Sequence, residues 1–225
     1  MLAGVDGIRN GWIAAILREN GSTEVQTFPT FRSLKEDTSL ASIVIDIPIG
    51  LPDYGARACD QEARRRLGHP RRSSVFPAPI RSMLTAHDWE DACRIRWERE
   101  GKKCSKQVAA ILPKIREVDK AMSGDLQKRI REGHPEVSFF MMNRERPVAS
   151  KKKTRQGKSE RLALLVPCFP DIKWNLQVKP RALWVDILDA YACLWTAKRI
   201  ATNQSKSFPQ DSTQDGVGLI MEIVA

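Results

Sequence analysis

Leu2-Ala3-Gly4-Val5-Asp6-Gly7-Ile8-Arg9-Asn10-Gly11-Trp12 carries an apolar run, a turn over its last residues, and the start of a second apolar run that continues to Leu17. Glu19-Asn20-Gly21-Ser22 is a further turn signal, followed by the alternating Thr23-Glu24-Val25-Gln26-Thr27-Phe28. Two turns between three strand-like runs predict an antiparallel meander. After a short predicted helix from Phe31 to Thr38, Ser42-Ile43-Val44-Ile45 is apolar and β-branched, as in a strand buried on both faces, and it ends abruptly at Asp46.

Pro48, Gly50 and Pro52 then break the pattern. Val108, Ile111, Leu112, Ile115 and Val118 recur at helical spacing within Ser105 to Met122, with Pro113 as an interior irregularity. His134-Pro135-Glu136 introduces a third apolar run, Val137 to Met142, read as a strand headed by Glu136. Asn143 to Ser159 is polar, basic and aperiodic, so a mobile loop is expected. Pro180 sits where a helix can begin, with Leu183, Ile187, Tyr191, Leu194 and Ile200 on its apolar side, and Leu219 to Val224 predicts a last strand. Mixed strands and helices in this order indicate an α/β sheet, one domain over residues 1–225 with a helical insertion at about 51–131.

At 42% hydrophobic and 28% charged residues, with no apolar run approaching about 18 residues, the chain excludes a helical membrane protein and bulk disorder. Met1 to Asn10 lacks the basic-then-apolar layout of an export signal, so a cytoplasmic location is expected. Five scattered cysteines form no CxxC pair, and His69, His87 and His134 are also dispersed. Oxygen ligands are then the remaining means of holding a metal.

The net charge of +10 is unevenly spread. Residues 56–116 hold 15 basic and 7 acidic side chains, and residues 144–161 hold 8 and 2. Such flanks suit a polyanion, because Lys and Arg neutralise phosphates and release counterions; a solvated basic face that aids solubility is the plain alternative. Asp6 and Asp46 end apolar strands where an open α/β sheet presents its ligand crevice. Asp186 and Asp189, three residues apart, share one helix face beside the apolar stripe. Carboxylates so placed repel one another and favour a cation, and Mg²⁺ or Mn²⁺ suits an all-oxygen set capable of phosphoryl-transfer chemistry.

With these features the chain resembles the RNase H-like superfamily: a three-stranded meander with an Asp on its first strand, an acid at the end of the fourth strand, and acids near the last helix. Gly4-Val5-Asp6-Gly7 with Gly11-Trp12, Ile45-Asp46-Ile47-Pro48-Ile49-Gly50-Leu51-Pro52, Ser74-Val75-Phe76-Pro77-Ala78-Pro79, His134-Pro135-Glu136-Val137-Ser138-Phe139, Ser150-Lys151-Lys152 and Asp186-Ile187-Leu188-Asp189-Ala190 are also similar, in order, to the domain-of-unknown-function family 429, described as predicted RNase H-like nucleases. Ile8 and Asn10 stand where that family's pattern usually has Cys and Gly, a departure confined to a turn.

The resemblance implies an RNase H-like mixed sheet flanked by helices, with Asp6, Asp46 and Asp186 or Asp189 as catalytic and metal-holding acids. Glu136 joins them as a ligand or water-orienting base, and His134 as a candidate proton relay. Arg57, Cys59 and Asp60 resemble the family's Arg-x-Cys-Asp motif. Arg57, Arg81, Lys114, Lys151, Lys152 and Lys153 are the expected phosphate contacts. Three readings stay open: a metal-dependent nuclease or phosphodiesterase, a non-catalytic nucleic-acid-binding protein, and an enzyme acting on a small phosphorylated or nucleotide ligand.

Overall fold

The computed structural model describes all 225 residues. Its strands are β1 (Leu2–Ile8), β2 (Gly11–Leu17), β3 (Thr23–Phe28), β4 (Ser42–Ile45), β5 (Ile130–Glu132), β6 (Ser207–Gln214) and β7 (Ile220–Val224). Its helices are α1 (Phe31–Lys35), α2 (Ala58–Arg71), α3 (Trp89–Glu100), α4 (Lys106–Asp119), α5 (Gly124–Gln127), α6 (Pro135–Met142), α7 (Arg155–Leu165), α8 (Ile172–Gln177) and α9 (Trp184–Ala201). β1, β2 and β3 form the predicted meander, and β4 and β5 extend it in parallel from β1, giving the order β3-β2-β1-β4-β5. The result is an open mixed α/β sheet, as expected. β6 and β7 form a separate antiparallel pair, joined to the end of β5 by a bridge between Gly133 and Val224. No helix is long and apolar enough to cross a membrane.

Alternation along the strands assigns each face its helices. Ala3, Val5, Ile43 and Ile45 pack with Phe31 and Leu34 of α1 and with Ile115 and Val118 of α4. Ile13, Ala15 and Val25 turn the other way, onto Ile187, Tyr191 and Leu194 of α9 and Phe139 of α6. α9 lies tightly on β1: a Cβ on Gly4 would stand 1.9 Å from the Leu194 nitrogen and 2.2 Å from the Ala190 carbonyl oxygen, so only glycine admits this approach. Asp6, two residues along, lies on that same face.

Two expectations are corrected. Residues 135–142 are a helix, with Pro135 in its first turn, and the strand beside them ends earlier, at Glu132. Because six successive residues from Pro135 to Phe140 are buried, Glu136 and Ser138 among them, the helix has no solvent face and leaves no period to read. Residues 143–159 are not one mobile loop either. Thr154 accepts from Gly157 N and caps α7. The segment before it is held by Arg71 on the Ala149 carbonyl, Arg161 on the Ser150 carbonyl, and Ser150 on Glu160.

Candidate active site

The parallel ladder between β1 and β4 ends at the pair Val5 and Ile45, and Asp46 N still donates to Val5 O at 2.9 Å. Asp6 and Asp46 therefore emerge side by side, on backbones separated by a strand spacing of about 4.8 Å. β1 continues to Ile8 in its pairing with β2, so Asp6 lies inside that strand rather than closing it. Val44, on the same face as Asp46, packs against Cys193 and Ala197 of α9. Asp189 is one turn before Cys193, which sets it against the two strand acids, with Asp186 a further turn toward the helix start. Glu136 approaches from the first turn of α6. Asp6, Asp46 and Glu136 line a cleft of about 720 Å³, bounded by Ser73 to Phe76 on one side and by Gln107, Ala110 and Ile111 on the other.

The charges in this cluster are unequally matched. Lys152 Nζ donates to Asp189 Oδ2 at 2.7 Å. Asp6 Oδ1 accepts only the Gly7 amide, at 2.7 Å, and neither Asp6 nor Asp46 pairs with a basic side chain. Burial, then Asp46 and Asp189, push the Asp6 carboxyl well above the ordinary range, against the pull of Lys152. Asp46 is raised by burial although His134 and Lys152 draw it down, and burial also raises Asp189 and Asp186. Burial disfavours the Lys152 ammonium, but Asp189, Asp46 and Asp6 outweigh it and hold the Lys152 pKa high.

A carboxyl whose folded pKa exceeds its unfolded value of about 3.9 adds stability that is complete below that value and is lost as pH rises through the folded pKa. The metal-free protein should therefore lose stability to this cluster as pH rises above about 4. Thermal melts in EDTA at pH 5 and pH 8 test this, and Asp46→Asn should narrow the difference between the two melting temperatures. An unchanged or wider gap would mean that the cluster is not strained by its own charge.

Glu136 Oε1 accepts from Arg161 Nη2 at 2.5 Å, while Glu136 Oε2 is buried without a partner. Arg161 also donates to the carbonyls of Ser150 and Gly157 and lies over the Phe139 ring. The sequence reading missed this buried arginine; the Thr154 cap ahead of Leu162 and Leu165 was the available sign of a helix that packs inward. His134 Nε2 is 3.4 Å from the Ser74 carbonyl, and its Nδ1 is buried and unpartnered.

The expected phosphate contacts divide three ways. Lys114, Lys151 and Lys153 line the cleft. Lys114 also donates to Gly11 O at 2.6 Å over the Trp12 ring, and burial lowers its pKa. Lys152 points into the acid cluster. Arg57 borders the cleft too, but it is only 3% exposed and its N–H groups are taken by Glu132, Asp60 and the carbonyls of Ile49 and Gly50, leaving none free for a phosphate. Arg81 is tied to Asp119 and Asp215.

No three His, Cys, Asp or Glu side chains are gathered around one ion-sized position; the cation among them is the Lys152 ammonium. The donor chemistry nonetheless fits a hard divalent ion. Four aspartates face one inward lysine, all donors are oxygen, and the orphaned Glu136 Oε2 lacks a partner.

The family described as "Protein of unknown function (DUF429)" matches residues 4–214, a span that contains every acid of the cluster. No curated protein and no solved structure matches the chain.

Proposed function

Because the chain belongs to the family of proteins of unknown function DUF429, we propose its activity from its own cleft: a metal-dependent nuclease or phosphodiesterase that uses Mg²⁺ or Mn²⁺. The observation that carries this reading is the pair Asp6 and Asp46, side by side and without counter-ions, facing Asp189 in a cleft rimmed by Lys114, Lys151 and Lys153. A divalent ion bound there would supply a more acidic water and charge stabilisation for the leaving oxygen. Asp6 and Asp46 are the residues to hold it, with Asp189, already paired with Lys152, and Asp186 and Glu136 around them. The rim lysines draw in and orient a phosphate group that bare carboxylates would repel. Arg161 keeps Glu136 aimed into the cleft.

The size of the cleft favours a second reading beside the first. About 720 Å³ falls within the range of small-molecule sites, roughly 300–1,000 Å³, and the walls from α4 and residues 73–76 flank the acids. A single-stranded end or a nucleotide-sized phosphodiester suits such a space better than the body of a duplex. The test is turnover of single-stranded, duplex and branched nucleic acids and of small nucleotide diesters, each with Mn²⁺ and with EDTA. Cleavage abolished by EDTA supports the proposal, and the preferred substrate separates its two forms. Binding without turnover of any of them would favour the non-catalytic binding protein.

The rim can be tested separately. Lys151→Ala with Lys153→Ala should flatten the dependence of log affinity on log salt by about 1.4 for single strands, since each phosphate contact contributes about 0.7. Lys152 is left intact because it faces the acids. An unchanged slope would remove residues 151 and 153 from the binding surface.

A further inference from the structure

Resting on the metal-dependent reading, we propose that Lys152 is a resident cation of the cluster: its ammonium holds Asp189 where a second divalent ion would sit, so the site takes one ion, at Asp6 and Asp46. The lysine is held in place rather than loose on the surface. The Lys151 carbonyl accepts from the Thr154 amide at 3.0 Å and from its hydroxyl at 2.8 Å. Arg71 and Arg161 grip the carbonyls of Ala149 and Ser150. α7 closes against this turn so tightly that a Cβ on Gly157 would stand 2.0 Å from the Lys151 oxygen.

The ion pairing divides the cluster into two parts. Asp189 is neutralised by Lys152 at 2.7 Å, whereas Asp6 and Asp46 have no basic partner. A second, independent sign of an open cation position is Glu136, 5% exposed and bordering the cleft, whose buried Oε2 has no hydrogen bond. Were a divalent ion to share Asp189 Oδ2 at about 2.1 Å, it would lie no more than about 4.8 Å from the ammonium nitrogen and compete with it for the same oxygen. Asp6 and Asp46 make no ion pair with the ammonium, so an ion held by them need not share an oxygen with it. The lysine thus replaces one member of the ion pair, about 3.5–4 Å apart, found in two-metal sites.

Counting bound Mn²⁺ tests this without reference to activity. Free Mn²⁺ is followed by electron paramagnetic resonance during titration of the whole chain, and the bound ions are examined for magnetic coupling. The wild type should bind one uncoupled ion, Lys152→Arg one, and Lys152→Met two coupled ions. Should Lys152→Met fail to fold because Asp189 is left buried and unpaired, Lys152→Met combined with Asp189→Asn removes both charges. That variant should fold and bind one ion. Two ions on the wild type, only one ion on a folded Lys152→Met, or two ions on the double variant would overturn the proposal. An ion bound by Lys152→Met but not by the wild type would overturn the one-ion stoichiometry. Absence of Mn²⁺ binding by every variant would instead defeat the metal-dependent reading on which this rests.

Discussion

Asp6→Asn is expected to reduce divalent-dependent turnover at least a hundredfold while raising the melting temperature of the metal-free protein. Asparagine keeps the shape of the side chain and its contact with the Gly7 amide, but removes a charge that the proposed divalent ion needs. Losing a metal's stabilisation of the reacting charges costs several kcal/mol, and each 1.36 kcal/mol is tenfold in rate, so about a hundredfold is the low end. The opposite effect on stability follows from the cluster itself. Burial and the neighbouring Asp46 and Asp189 disfavour the ionised Asp6, and without an ion that repulsion has no compensation. Removing about 1 kcal/mol of it should raise the melting temperature by about 2–4 °C for a chain of this size. On the proposed reading, affinity for nucleic acid should hardly change, because the lysines proposed to meet phosphates lie elsewhere. Turnover with saturating Mn²⁺ and melts in EDTA provide the two readings. A folded Asp6→Asn protein that works at the wild-type rate would remove Asp6 from the mechanism, and a lowered melting temperature would show that its charge is compensated in the free protein.

Arg57→Ala should cost about 3–5 kcal/mol of folding stability, the range for breaking a buried ion pair and leaving its partners uncompensated. The Arg57 guanidinium donates to Glu132 at 2.7 Å through both terminal nitrogens and to Asp60 at 2.6 Å. Those acids in turn receive backbone amides, Ile49 N on Glu132 and Ala78 N on Asp60. One side chain therefore ties the end of β5, the start of α2, and the loops after β4 and before Ala78 under the cleft. Even with Arg57 present, burial raises the Glu132 carboxyl to about 7. Without it, Glu132 stays protonated over more of the pH range, and the penalty should shrink between pH 8 and pH 5. Urea denaturation at both pH values measures this. A loss under 1 kcal/mol at pH 8 would mean that the network is solvated and Arg57 free to serve a ligand.

The meander and the buried β4 were legible because their patterns are local: turn residues at two points, alternation, and an apolar run with an abrupt end. Asp6, Asp46 and Asp189 could be named for the same reason, since an acid beside an apolar strand or on a sheet-facing helix stands out in one dimension. What escaped the sequence depends on partners distant in the chain. Glu136 reads from sequence as heading a strand because a helix buried on all sides has no solvent face to reveal its period. Arg57, Arg81 and Lys152 looked alike as basic residues, and only the folded chain distinguishes them. One joins Glu132, another Asp119 and Asp215, and the third Asp189. Charge counts identify a polyanion-binding composition but are blind to cations already spent on internal acids.

Gly4 has a role in the cleft although it lies in the core. It shares its strand face with Asp6, and the helix backbone it admits, at Ala190, adjoins Asp189. The gap between the strand acids and the helix acid is thus gauged by a missing methyl group, two residues away from the chemistry. Oxygen donors select Mg²⁺ at about 2.0–2.1 Å over Ca²⁺ at about 2.3–2.6 Å through differences of only a few tenths of an ångström. Any substitution that lifts α9 from β1 would move Asp189 and its Lys152 partner against the strand acids on that scale, so the selectivity of the proposed ion at Asp6 and Asp46 would be adjusted from the hydrophobic seam with both aspartates left unchanged.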